Sequence, residues 1–167
     1  MKAVTLTVTA LMFCAEALLA DDADAFPLDS PSDFSIEDLK NFQQERLKRT
    51  KSCPSCFLEG IDLSDANLAQ ADLRGTMLDG AVMRRAKLSS SNLSGASLIG
   101  ADLAGTDFKG ANLSAANLQS ANLAGVNLSG ADLRGANLDG ATLFKGDLSR
   151  AVMTGATLCN TILPTVA

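Results

Sequence analysis

At 167 residues, 47% apolar but only 4% aromatic, with no Trp and no Tyr, the chain can build one ordinary core, and it must build it from Leu and Ala. A formal net charge of −5 argues against a dedicated nucleic-acid binder, which needs clustered Lys and Arg, and the lack of aromatic rings argues against a base-stacking platform. The absence of His removes the usual general base, proton shuttle and commonest metal ligand together, and no catalytic residue, cofactor or metal site is expected.

Residues 1–20 read as a secretory signal peptide. Lys2 gives the positive start, residues 3–15 an apolar run containing Cys14, and Leu18-Leu19-Ala20 a small-residue exit. Cleavage is expected after Ala20, with Ala23-Asp24-Ala25 as the second choice. The run is interrupted at Glu16 and falls short of the roughly 20 apolar residues a spanning helix needs, so stable membrane insertion is not expected. The implied address is the periplasm, a thylakoid lumen or the secreted fraction. Residues 21–34, rich in Asp, Ser and Pro, read as a solvated linker.

A helix start follows at Ser35, with Asp38 in the capping-box position. Ile36, Leu39, Phe42 and Leu47 share a broad face, and Lys48, Arg49 and Lys51 crowd the last turn, where the helix dipole favours cations. Residues 35–55 are therefore assigned to a capping helix and its junction. Within the junction, Cys53-Pro54-Ser55-Cys56 admits three readings: a structural disulfide, two buried thiols, or a redox pair. A zinc site would need further ligands, and beyond the signal the chain offers only Cys159.

From here the sequence repeats every five residues. The centres are Leu58, Leu63, Leu68, Leu73, Leu78, Met83, Leu88, Leu93, Leu98, Leu103, Phe108, Leu113, Leu118, Leu123, Leu128, Leu133, Leu138, Leu143, Leu148, Met153, Leu158 and Leu163, all large and apolar. Two residues before the centre, 14 of 22 positions are Ala; one before it, 13 are Asp or Asn; two after it stand 12 of the chain's 13 glycines.

This period fits neither regular element. On an α-helix, residues five apart spread around the whole circumference, and on a straight strand an odd period flips each successive Leu to the other face. A chain that turns a corner every five residues resolves the conflict. Ala and Leu, two apart, then both point inward from a short extended stretch, the Asp or Asn between them points outward, and the remaining two residues make the corner. Such a chain must wind and satisfy its backbone against neighbouring coils.

Runs such as Ala111-Asn112-Leu113-Ser114-Ala115, Ala131-Asp132-Leu133-Arg134-Gly135 and Ala136-Asn137-Leu138-Asp139-Gly140 resemble the A(D/N)LXX motif of pentapeptide-repeat proteins. The resemblance spans residues 56–165, ahead of a tail at 166–167. It implies an all-β solenoid: a right-handed quadrilateral β-helix of about five and a half coils behind a short N-terminal α-helical cap. Pro164 is a reasonable terminator. Departures from the motif cluster at the termini and at residues 77–87 and 144–153, where irregularity or a binding patch is expected.

By phase, Cys53 and Cys56 point toward the axis, whereas Phe57, Phe144 and Cys159 point outward. Phe57 is expected to pack under the capping helix, and Phe144 is a candidate surface contact. Cys159 either is shielded by the terminal segment or links two copies into a homodimer. The outward carboxylates read as a solvated surface, since no Asp is set apart from the others as acid or base chemistry requires. The resemblance implies an exported protein of undetermined role; because a rod with no catalytic constellation still offers flat, regular surfaces, the function expected is a non-enzymatic exported scaffold for protein–protein interaction or self-assembly, with an unknown protein partner and no nucleic acid. The alternative it offers is a duplex mimic that protects DNA gyrase, but residues 56–167 hold 10 acidic against 8 basic side chains, a weak charge balance for such a mimic.

Overall fold

A computed structural model describes residues 35–164. The expected signal peptide, both cleavage points, the linker and the tail lie outside those residues.

Helix α1 spans Ile36–Thr50. Its N-cap is Ser35, whose hydroxyl accepts from the Asp38 N–H at 3.1 Å while the Asp38 carboxylate accepts from the Ser35 N–H at 2.9 Å. This reciprocal pair satisfies two backbone donors that the first turn leaves open. Lys51 ends the helix in the left-handed region at φ 54° and donates its N–H to the Leu47 carbonyl. The buried positions of α1 are Leu39, Gln43 and Leu47. Ile36, expected on the covered face, is 51% exposed, because it precedes the stretch that lies over the solenoid.

Beyond α1 the chain is a right-handed quadrilateral β-helix. Each short extended segment forms a parallel bridge with the segment twenty residues on: Ser52 with Asp72, Phe57 with Met77, Asp62 with Val82, Asn67 with Lys87, and so on up to Thr142 with Ile162. One coil therefore holds four pentapeptides. The ladder repeats without slippage; Leu58 N–H donates to the Met77 carbonyl at 2.8 Å and Met77 N–H to the Cys56 carbonyl at 2.9 Å. Residues 77–87 keep this register despite their departures from the motif, with Val82 N–H on the Ile61 carbonyl and Lys87 N–H on the Ala66 carbonyl, both at 2.8 Å. The irregularity expected there is absent, because the Met77, Val82 and Lys87 side chains point outward while their backbone keeps its place in the ladder.

At each corner the residue two after the centre has positive φ, as at Gly60 (68°) and Gly125 (68°), but also at Arg85 (56°) and Ala115 (55°). Glycine adopts this conformation without a Cβ penalty, whereas the other residues pay roughly 1 kcal/mol, which explains the preference without making it absolute.

Centres from Leu58 to Leu143 are buried. Leu148 and Met153 are only partly so, and Leu158 and Leu163 are 38% and 49% exposed, contrary to their expected place in the core. Each centre is sealed by the coil that follows, and among the described residues nothing follows the last one. Where Thr or Ser replaces the inward Ala, its hydroxyl finds a carbonyl: Thr76 donates to Cys53 (2.8 Å), Thr106 to Met83 (2.7 Å), Thr161 to Leu138 (2.7 Å) and Ser91 to Leu88 (2.6 Å). A small polar residue is therefore tolerated in the wall of an apolar axis.

Gly146 is the one glycine out of phase, standing where Ala is usual. A Cβ there would lie 3.1 Å from the Leu143 carbonyl oxygen and 3.2 Å from Val126 Cγ1, and Val126 is the inward residue one coil earlier. The larger side chain below is matched by a missing one above. Gly146→Ala should therefore cost about 1–3 kcal/mol by overpacking. In the Val126→Ala background the same change should cost at least ~1 kcal/mol less in urea unfolding, the coupling expected of touching residues.

Candidate functional site: ends and outer faces of the solenoid

The N-terminal end is closed by α1. Gln43 is 3% exposed, and its Oε1 accepts from the Phe57 N–H at 2.7 Å. In later coils that N–H goes to a carbonyl of the preceding coil, as from Met77 to Cys56; the Gln43 side chain takes the place of the missing coil. Gln43 sits four residues after Leu39 and four before Leu47, a spacing that could have placed it on the covered face. Phe57 is half-buried with the Lys40 ammonium 5.6 Å from its ring centroid. Cys53 and Cys56 form a disulfide, Cα–Cα 5.5 Å, with both residues buried at 0% and 4% exposure.

On the outer faces the Asp and Asn residues do more than face solvent. Each Asp or Asn that directly precedes a centre accepts through Oδ1 from the N–H two residues on, as in Asp62 from Ser64 (2.9 Å), Asn112 from Ser114 (3.0 Å), Asn137 from Asp139 (3.0 Å) and Asp147 from Ser149 (2.8 Å). These are Asx turns that bend the chain into its corner, a role that either residue fills and that outward phase alone does not reveal. Some also stack between coils, with the Asn122 and Asn127 amides donating to Asp102 and Asp107 at 3.0 and 2.9 Å.

Every carboxyl shift resolved on these faces is downward. Hydrogen bonds from Arg85 to Asp65, Arg74 to Asp72 and Arg134 to Asp132 lower those three carboxyls, and the Ser64 and Ser149 bonds lower Asp62 and Asp147. A general acid at neutral pH requires the opposite shift. The linkage follows from the sign: folded values below the unfolded ~3.9 contribute stability above that pH and lose it as pH falls through the folded values. The melting temperature should drop on acidification below about pH 4, and Asp62→Asn with Asp147→Asn, which keep the turn acceptor, should flatten that drop in a thermal-melt series.

The C-terminal end is open among the described residues. Val152, Leu158, Ile162 and Leu163 are exposed, and Phe144, one coil before Pro164, is 44% exposed with the Lys145 ammonium 5.3 Å from its ring centroid. The N–H groups of Leu148, Met153, Leu158 and Leu163, which in every earlier coil meet the next one, have no partner among the described residues. Cys159 lies in this last coil as an exposed free thiol and is not shielded by the terminal segment up to Pro164. It lies fifteen residues after Phe144 and so, in a twenty-residue coil, belongs to a different corner column. Among the described residues no helix is long and apolar enough to cross a membrane, and no three potential metal ligands cluster.

The family profile described as Pentapeptide repeats matches eight copies across residues 56–163. Among solved structures, the pentapeptide repeat protein Rfr23 of the cyanobacterium Cyanothece 51142 is 33% identical over 74% of this chain and 98% of its own, with a TM-score of 0.71. A pentapeptide repeat protein of the Arabidopsis thaliana thylakoid lumen is 32% identical over 59% of this chain and 66% of its own, with a TM-score of 0.41. No curated protein matches. The unbroken five-residue register, the twenty-residue coil and the profile match together make this chain a member of the pentapeptide-repeat family.

Proposed function

We propose that the protein is a non-enzymatic exported scaffold that joins protein partners, including copies of itself, through the open end of its coil. The observation that carries this reading is the contrast between the ends. One is covered by α1, with Gln43 completing the ladder; the other presents Leu158, Ile162 and Leu163 beside backbone donors that have no partner among the described residues. An apolar patch next to an open strand edge is the surface proteins use to add another chain. Export rests on the sequence of residues 1–20. The reading as a duplex mimic gains little from the faces, where Asp65, Asp72, Asp102 and Asp132 are each paired with an arginine.

Light scattering of the mature protein, together with capture from its native envelope, tests the proposal. A self-associated species or a specific complex is expected, and Leu158→Asp with Ile162→Asp should abolish it while circular dichroism stays unchanged. A monomer that captures nothing, or a measured substrate turnover, overturns it.

A further inference from the structure

The N-terminal cap lies over a covalent bond, the Cys53–Cys56 disulfide. Helix α1 buries only Leu39, Gln43 and Leu47. Two of the polar contacts at the rim of the cap are long, Gln44 Nε2 to the Asp62 carbonyl at 3.5 Å and Lys51 Nζ to the Ala69 carbonyl at 3.4 Å. Leu47 shares one apolar cluster with Cys53 and Cys56, and the disulfide spans a corner, joining the positions where later coils place a centre and the small inward residue of the following segment. Between the cysteines, Ser55 is held at φ 56°, a left-handed corner that disfavours a residue with a Cβ and that the bond helps to keep closed.

We infer that this disulfide is a redox latch on the cap: reduction by a dithiol loosens α1 from the first coil while the later coils stay folded. A thiolate of the reductant attacks one cysteine sulfur, forming a mixed disulfide and releasing the other cysteine as a thiolate. The second thiol of the reductant then displaces the remaining cysteine. Two electrons and two protons pass to Cys53 and Cys56, and the reductant leaves as a disulfide.

Bond and cap protect each other. Both cysteines are buried at 0% and 4% exposure, so a reductant reaches the sulfurs only when the cap opens. Once the bond is gone the junction is less constrained, and opening becomes more favourable, as linkage requires. The coils have their own support, since the ladder from Cys53 N–H to the Asp72 carbonyl upward does not pass through α1. Departure of α1 removes the Gln43 acceptor from the Phe57 N–H and exposes the first coil as a strand edge.

Hydrogen exchange read by mass spectrometry on the full chain, with and without a millimolar dithiol, tests the latch. Reduction should speed exchange of residues 39–50 and of the Phe57 amide at least tenfold, with the amides of Leu113 and Leu118 changed less than twofold. Cys53→Ala with Cys56→Ala should show the loosened cap without reductant and no response to it. Gln43→Ala, which keeps the bond, should be reduced faster in a thiol-labelling assay because its cap opens more often. Unchanged exchange of α1 after reduction overturns the inference, as does loosening of cap and coils together or a bond that yields only when the whole protein is unfolded. Should the double variant fail to fold, the reduced native chain and Gln43→Ala still decide.

Discussion

Leu118→Asp is expected to destroy cooperative folding of the solenoid at neutral pH, lowering stability by at least about 4 kcal/mol. Leu118 is fully buried, with the centres Leu98 and Leu138 in the coils before and after it in the same column. The carboxylate would find no free donor there, because the neighbouring N–H groups are already used: Leu118 donates to the Asn137 carbonyl at 2.7 Å and Ala121 to the Leu118 carbonyl at 3.1 Å. The loss would add to the 2–5 kcal/mol that removal of a buried Leu typically costs, against a total stability of roughly 5–15 kcal/mol for an ordinary domain. Because each coil touches only its neighbours, the break in the middle should leave two short stacks, each missing a partner. Leu163→Asp is the internal control. That side chain is 49% exposed, and its replacement should cost under about 1 kcal/mol in the same urea titration. If Leu118→Asp melted like the native chain, a dry axis could not be what holds the coils together.

Periodicity carries the inward and outward assignment because inward and outward side chains differ in size and polarity, and a corner every five residues is the one winding that keeps all the leucines on the same side. The number of sides is not legible in the same way. Leu63, Leu68, Leu73 and Leu78 occupy four different faces yet are the same residue in the same chemical setting, so the twenty-residue coil leaves no mark in the sequence and emerges only from the bridges. Nor does a repeat announce where its stacking partner ends. Leu158 and Leu163 satisfy the pattern as well as Leu113 does, but burial is a property of the next coil rather than of the residue itself. Asn112 and Asp132 are legible as outward polar positions, while their work as turn acceptors depends on a backbone angle that phase does not encode. The burial of Gln43 is not legible in the sequence, because a polar residue on a helix face is ordinarily solvated; it follows from the Phe57 N–H, which has no preceding coil to bond and exists in that position only once the first coil is in place. The same holds for Cys53 and Cys56, whose spacing admitted three states until both were turned into one corner.

Phe108→Ala should be the next most damaging change, at about 3–5 kcal/mol, and its comparison with Phe108→Leu separates volume from identity. Phe108 is the one aromatic centre on the axis and is fully buried, while the other centres of its column, Leu68, Leu88, Leu128 and Leu148, are all leucine. The backbone around it is that of any other coil, with its N–H on the Asn127 carbonyl at 2.8 Å and the Leu88 N–H on the Asp107 carbonyl at 2.8 Å. Leucine therefore fits this position without strain, and Phe108→Leu should cost under about 1.5 kcal/mol, whereas Ala leaves a void that the ladder, fixed on both sides, cannot collapse to fill. Urea unfolding gives the two losses, and hydrogen exchange gives their reach. In a stack coupled only between neighbours, the Ala variant should loosen the amides of Leu88 and Leu128 more than those of Leu73 or Leu143. Equal losses for Ala and Leu would mean that the ring makes a specific contact, and uniform loosening of all coils would mean that the solenoid opens as a single unit rather than coil by coil.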